Sequence, residues 1–122
     1  MGVTEIDSLA GEQYCYLTTT GRKTGRAHTI EIWFAAQPDS AKLYMLAGGR
    51  ERADWVKNIG ANPAVQVRIK SREFRGLGRV VTDLTEEQLT RSLVVKKYYG
   101  RDRVHTTGWE AESLPVAIDL KS

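Results

Sequence analysis

Val65-Gln66-Val67-Arg68-Ile69-Lys70-Ser71-Arg72-Glu73-Phe74 holds the clearest alternation of apolar and polar residues in the chain. In a strand, successive side chains point to opposite faces. Val65, Val67 and Ile69 therefore share a buried face, and Gln66, Arg68 and Lys70 a wet one. Lys70 to Glu73 reads as a turn into a further strand, Phe74 to Val81. There Gly76 and Gly78 fall on one face and leave room for a bend or a close neighbour. Strand, turn and strand without a crossover helix make an antiparallel unit.

The same punctuation extends outward. Tyr14 to Thr20 is rich in β-branched and aromatic residues and reads as a strand. From His28 the chain alternates, with His28, Ile30, Ile32 and Phe34 on one face and Thr29, Glu31 and Trp33 on the other. Pro38-Asp39-Ser40 marks a turn, and Lys42 to Ala47 a strand ending at Gly48-Gly49. Glu51 to Ile59 has helical spacing, with Gly60 and Pro63 as stop signals. Thr4 with Asp7 reads as the start of an N-terminal helix and Gly11 as its stop. Thr85 to Gln88 has the form of a capping box that opens a helix running to about Tyr99. The apolar residues of that helix fall on two sides, Leu89 and Leu93 on one and Val94 and Tyr98 on another. Gly100 to Ser113 reads as a loop and Val116 to Leu120 as a last strand. With few, short helices this predicts a mainly β (α+β) fold, a six-stranded antiparallel barrel forming a single domain over residues 1–122.

Of the 122 residues, 41% are hydrophobic and 27% charged, the composition of a globular protein. No apolar run approaches the length of a membrane span, and the N-terminus lacks the pattern of a secretory signal. The single cysteine, Cys15, excludes an internal disulfide framework and fits a reducing compartment, so a cytoplasmic protein is expected. A net charge of +3 is too small to call for nucleic acid. The cations are instead concentrated, with Arg22, Lys23, Arg26, Arg50, Arg52 and Lys57 in two short stretches, as a site for a small anion requires.

The first stretch is Thr18-Thr19-Thr20-Gly21-Arg22-Lys23-Thr24-Gly25-Arg26. Two glycines four apart permit positive φ and a tight return, so that backbone N–H groups can converge on one anion. Thr20 and Thr24 add hydroxyls, and Arg22, Lys23 and Arg26 add charge. A solvated hairpin turn would carry the same residues, and the pattern alone leaves both readings open. In the second stretch a strand ends at Gly48-Gly49-Arg50 and enters a helix, where backbone can approach a flat ring and a helix N-terminus favours anions. A plain connection reads the same way. Tyr98, Tyr99 and Trp109 flank the C-terminal loop and could line a substrate pocket or seal the barrel end. Cys15 sits mid-strand among apolar neighbours, as a buried small hydrophobe. His28 and His105 lack the companions of a metal site. No catalytic acid, base or nucleophile stands out.

Taken in order, the Thr18–Arg26 segment, the strand to Phe34, Gly48-Gly49, Trp55-Val-Lys-Asn-Ile-Gly-Ala-Asn-Pro63 and Val65-Gln-Val67 resemble the deazaflavin-dependent nitroreductase family. That family belongs to the split β-barrel flavin-binding superfamily. The resemblance covers about Tyr14 to Ile69, with a weaker echo at Leu114-Pro115-Val116. It implies coenzyme F420, a 5-deazaflavin with a phosphodiester and an oligoglutamate tail, as hydride donor to quinones, enones or nitroaromatics. It also implies phosphate binding by Gly21 to Arg26, Gly48 and Gly49 near the ring, and structural roles for Trp55, Asn58, Asn62 and Pro63. A cofactor that carries the chemistry explains why no triad is visible. FMN would suit the same turn. A non-catalytic protein holding a flavin, haem or lipid is a further alternative. The small barrel and the two-sided helix ending at Tyr99 predict a homodimer, which the resemblance implies as well.

Overall fold

The computed structural model describes residues 3–121. The elements run α1 (Val3–Leu9), β1 (Cys15–Thr20), β2 (Ala27–Ile32), β3 (Ala35–Ala36), β4 (Lys42–Ala47), α2 (Asp54–Ala61), β5 (Ala64–Ile69), β6 (Arg72–Val80), α3 (Leu84–Tyr99), α4 (Trp109–Glu112) and β7 (Leu114–Leu120). A single 3₁₀ turn, Arg50–Arg52, precedes α2. The helical start read at Thr4 rests on a side chain outside the described ones.

All strand pairings are antiparallel, in one seven-stranded sheet ordered β2-β1-β5-β6-β7-β4-β3. β2 and β3 are its two outer strands, yet only Trp33 and Phe34 separate them in the chain. Three residue steps span at most about 11 Å, so the sheet must curl until its edges converge there. The result is a half-barrel.

Seven strands rather than six follow from that corner. The alternation from His28 does not run straight to Phe34. The chain leaves β1 after Ile32, turns through Trp33-Phe34, and pairs Ala35 and Ala36 with β4 on the opposite edge.

The barrel interior receives Cys15, Leu17, Val67, Ile69, Met45, Val116 and Ile118, none with measurable exposure. Ile6 of α1 and Val56 and Ile59 of α2 complete this core. On β6, a Cβ at Gly78 would lie 2.9 Å from Ile59, and one at Gly76 2.8 Å from the Asp119 carbonyl, so both glycines admit close neighbours. α3 packs outside, and its two apolar sides are both used. Leu93, Val94 and Tyr98 meet Ala35 and Leu46, while Leu89 and Leu93 meet Tyr44, Val81 and Ala117. β4 is therefore buried on both faces along most of its length.

The cap of α3 is Asp83 rather than Thr85. Its carboxylate accepts the Glu86 N–H at 2.9 Å, so the Asp-x-x-Glu pair two residues upstream supplies the start. Gly100 closes α3 in the left-handed conformation, φ 67°. Beneath α3, Arg79 grips Glu86 at 2.7 and 2.8 Å and Asp119 at 2.7 Å, and Tyr44 donates to Glu86 at 2.8 Å. Bonds from Arg79 hold the Glu86 carboxyl below its usual range.

Candidate functional site

The turn from Gly21 to Arg26 joins β1 to β2 and closes on itself. Gly21 N–H donates to the Arg26 carbonyl at 2.7 Å, and Gly25 N–H to the Gly21 carbonyl at 2.8 Å. Arg26 N–H donates to the Thr24 hydroxyl oxygen at 3.2 Å. Only Gly25 needs positive φ, at 75°. Gly21 is required for space, since a Cβ there would sit 2.6 Å from His28 Nε2.

The three cations of the turn are not equivalent. Arg22 is tied to α2: its N–H and Nη1 donate to Asn58 Oδ1 at 3.2 and 2.9 Å, and Nη2 meets Asp54 at 3.3 Å. Asn58 is buried and donates from Nδ2 to the Thr19 hydroxyl at 3.2 Å, so its amide pins the turn to β1 and α2 together. Among the described residues, Lys23 and Arg26 have no carboxylate partner, and the Lys23 and Thr24 N–H groups no protein acceptor. Two free cations, two adjacent free N–H groups and a hydroxyl remain at the tip. That donor set suits a phosphate diester, and the residues present fit the anionic part of a deazaflavin cofactor.

A groove of about 580 Å³ opens beside the turn, lined by Lys23, Arg26, His28, Ile30, Trp55 and Asn58 among others. His28 lies opposite Thr19 on the inward face of β2, which brings its imidazole over Gly21 and into the groove. Sequence reasoning did not select it. Its signal was its phase, since His28, Ile30 and Ile32 share the face that looks into the barrel. Trp55 packs partly into the core and presents the rest to the groove, so it serves both purposes.

An aromatic cluster lies at the far end of β2. Trp33 stacks on Tyr98 with ring centroids 4.0 Å apart and planes 2° apart. Tyr99 and Trp109 meet Trp33 edge-on at 6.3 and 5.9 Å. The three residues expected at the pocket therefore do come together, with Trp33 added. The five residue steps from His28 to Trp33, which lies just past the end of β2, span up to ~17 Å, so cations and aromatic rings mark opposite ends of one strand.

Gly48-Gly49 differs from expectation in detail. Neither glycine has positive φ; the left-handed residue is Arg50, φ 53°. Its guanidinium turns away and donates to the Glu112 carbonyl, joining the 3₁₀ turn to α4 rather than facing the groove. The indole of Trp109 lies over Gly48, where a Cβ would come within 3.2 Å of Nε1.

One buried group and one half-buried group bound the chemistry. Cys15 is fully buried, and burial pushes its thiol up to about 12, so it is no nucleophile at neutral pH. Lys97 donates to the Phe34 carbonyl at 2.7 Å and lies over the Phe34 ring at 3.7 Å, and burial lowers its ammonium to about 8.

The profile of the family described as F420H(2)-dependent quinone reductase matches residues 1–121. Solved structures share the fold. A conserved hypothetical protein from Mycobacterium tuberculosis superposes with TM-score 0.81 at 15% identity over 100% of this chain and 82% of its own. A FAD-binding protein from Mesorhizobium loti gives 0.71 at 18% identity over 100% and 91%. A protein described as an F420-H2 dependent reductase gives 0.63 at 24% identity over 89% and 94%.

Proposed function

The chain belongs to the F420H(2)-dependent quinone reductase family, oxidoreductases that use coenzyme F420, and from that premise we propose that it reduces electron-poor small molecules such as quinones, enones or nitroaromatics. This assignment selects the deazaflavin over the FMN that the turn alone would also suit, and an enzyme over a passive carrier. When bound in reduced form, the cofactor supplies a hydride.

The observation that carries the site assignment is the order along β2, with anion donors and their groove at one end and the aromatic cluster just past the other. Thr20, Gly21, Lys23, Thr24, Gly25 and Arg26 form the cradle for the phosphodiester, with His28 beside them. Arg22 acts through Asn58, holding the cradle in shape. Gly48 admits the Trp109 indole and Gly49 the Ala53 side chain, and both stay near the cofactor ring in this reading. Trp33, Tyr98, Tyr99 and Trp109 form an aromatic wall that receives an aromatic or quinonoid acceptor and keeps water from it. The proton that accompanies the hydride comes from solvent or from Tyr99, whose hydroxyl has no protein partner among the described residues. The protein works as a homodimer. A cytoplasmic setting, read from the single buried Cys15, belongs to the same proposal; no helix in the described residues is long and apolar enough to cross a membrane.

Lys23 and Arg26 act on the tail, remote from the reacting carbon, so their loss should remove uniform binding only. A charge-assisted hydrogen bond contributes ~1.5–3 kcal/mol, roughly ten- to a hundredfold in affinity. Lys23→Ala and Arg26→Ala should each raise the F420 KM by about tenfold or more, with kcat at saturation within a few-fold of wild type. Steady-state kinetics with reduced F420 and a menadione-like quinone, alongside fluorescence-quenching titrations, make the test. Wild-type cofactor binding by both variants would reduce the turn to a solvated hairpin.

A further inference from the structure

A histidine and a carboxylate that the proposed site does not use meet beside its aromatic wall. Glu110 is the second residue of α4, directly after Trp109, and its side chain is 8% exposed. Its oxygens accept Arg101 Nη1 and Nη2 at 2.9 and 2.8 Å and the His105 N–H at 2.7 Å. The imidazole of His105 returns to the same carboxylate, with Nδ1 3.6 Å from Oε1. Backbone and ring of one residue thus converge on one buried acid.

Two links tie this pair to the wall. Trp109, which meets Trp33 edge-on at 5.9 Å, is the chain neighbour of Glu110. Arg101, the partner of Glu110, carries its guanidinium 4.9 Å from the centre of the Tyr99 ring. The His105 side chain is 57% exposed, and its Nε2 has no protein partner among the described residues. Nδ1 faces a carboxylate and Nε2 is open. That arrangement orients an imidazole and leaves its second nitrogen to exchange a proton.

The other charges of the loop are engaged elsewhere. Asp102 pairs with Lys96, and Glu112 accepts the Gly108 N–H at 2.9 Å. From α3, Arg91 is held by Glu87 and reaches only the carbonyl of Glu110. Arg103 is the remaining cation, and its carbonyl accepts Arg101 at 3.0 Å. Arg101 first, then the His105 N–H, keep Glu110 ionised at neutral pH. Because Glu110 and Arg101 balance each other, their work on His105 is orientation.

Resting on the reductase reading above, we propose that His105, oriented by Glu110, is the general acid that protonates the acceptor held on the aromatic wall. The hydride, with its electron pair, converts a quinone to the hydroquinone monoanion. The Nε2–H bond of the imidazolium breaks as an O–H bond forms on that oxyanion, and water returns a proton to Nε2. Solvent protons thus reach the acceptor through His105. An imidazolium is a stronger acid than a phenol, so it suits the step better than Tyr99 does.

The test is steady-state quinone reduction with reduced F420 from about pH 6 to 9, in wild type, His105→Ala and His105→Gln. Wild-type kcat should fall as pH rises through the titration of an imidazole. Each variant should lose about tenfold or more in kcat at the acid end and show no such fall. Its F420 KM should stay within about twofold, because the turn lies at the other end of β2. Added imidazole should restore part of the kcat of His105→Ala and leave wild type unchanged. Unshifted tryptophan emission in both variants shows that Trp109 keeps its place. A flat wild-type profile overturns the proposal, and so does a pH dependence that survives in both variants, which would pass the step to Lys97 or Tyr99. A loss of kcat with shifted emission and no rescue by imidazole also overturns it, leaving His105 a support of the loop. If the wild type transfers no hydride to any quinone, the failure lies with the reductase reading beneath it.

Discussion

Tyr98 places its hydroxyl oxygen 2.6 Å from the Gln13 carbonyl and receives the Phe34 N–H at 3.0 Å. Its ring meanwhile stacks on Trp33. The one proton it could give a substrate is already directed at a backbone carbonyl, and burial raises the phenol to about 12. With Lys97 on the Phe34 carbonyl, the pair clamps the corner where β2 becomes β3. The ring and the hydroxyl thus have separable duties, one toward the pocket and one toward the fold. Tyr98→Phe should keep kcat within about twofold in quinone reduction. It should lower unfolding free energy by ~1–3 kcal/mol, the cost of leaving the N–H of buried Phe34 short of a partner. Kinetics and urea unfolding on the same preparation check both halves. A tenfold fall in kcat with unchanged stability would instead make Tyr98 the proton donor.

At the scale of elements, the segment from Gly100 to Ser113 is held by charge rather than by apolar packing. Glu110 accepts Arg101 at 2.9 and 2.8 Å and the His105 N–H at 2.7 Å. Arg91 on α3 reaches the Glu110 and Ser113 carbonyls at 3.0 and 2.9 Å. The Arg101 bonds first, and the His105 N–H second, hold the Glu110 carboxyl down to about 2. A carboxylate with a depressed folded pKa lends stability that is complete above its ordinary value of 4.5 and is lost as pH falls toward 2. The segment, with Trp109 over Gly48, should therefore loosen across that acid window. Tryptophan emission titrated from pH 6 to 2 should show this step in wild type and lose it in both Glu110→Gln and Trp109→Phe. A step that survives in Glu110→Gln would assign the transition to other carboxylates. None of these long-range ties could be read from the sequence, where this stretch is a loop. The strands were legible because alternation is local, as Val65 to Ile69 demonstrates. The Ala35–Ala36 strand was not, because two residues carry no period and its partner lies across the barrel. In the site, glycine spacing marked the turn correctly. Which of its cations stay free was decided by Asn58 and Asp54, 36 and 32 residues beyond Arg22.

For the whole molecule, the question is what covers the aromatic end. Trp33, Tyr99 and Trp109 are 36%, 46% and 39% exposed, and they adjoin one another. A contiguous aromatic patch of this kind on a small domain marks a binding or association surface. Beside it, β2 is paired only on its β1 side, an outer strand with a free hydrogen-bonding edge. The expectation that α3 would turn an apolar side to a second copy needs revision. Val94 and Val95 are fully buried within the chain, and Leu89 and Leu93 pack on its own sheet. A surface open to a two-fold partner is the β2 edge with the aromatic patch, which would place the substrate wall at the boundary between copies. Light scattering at micromolar concentration should give twice the chain mass, with and without F420. Dilution that separates the copies should expose the patch and shift tryptophan emission to the red, and hydride transfer to a quinone should fall in step. A monomer that binds F420 and turns over at full rate would show that one chain builds the whole site, with the aromatic patch left for substrate alone.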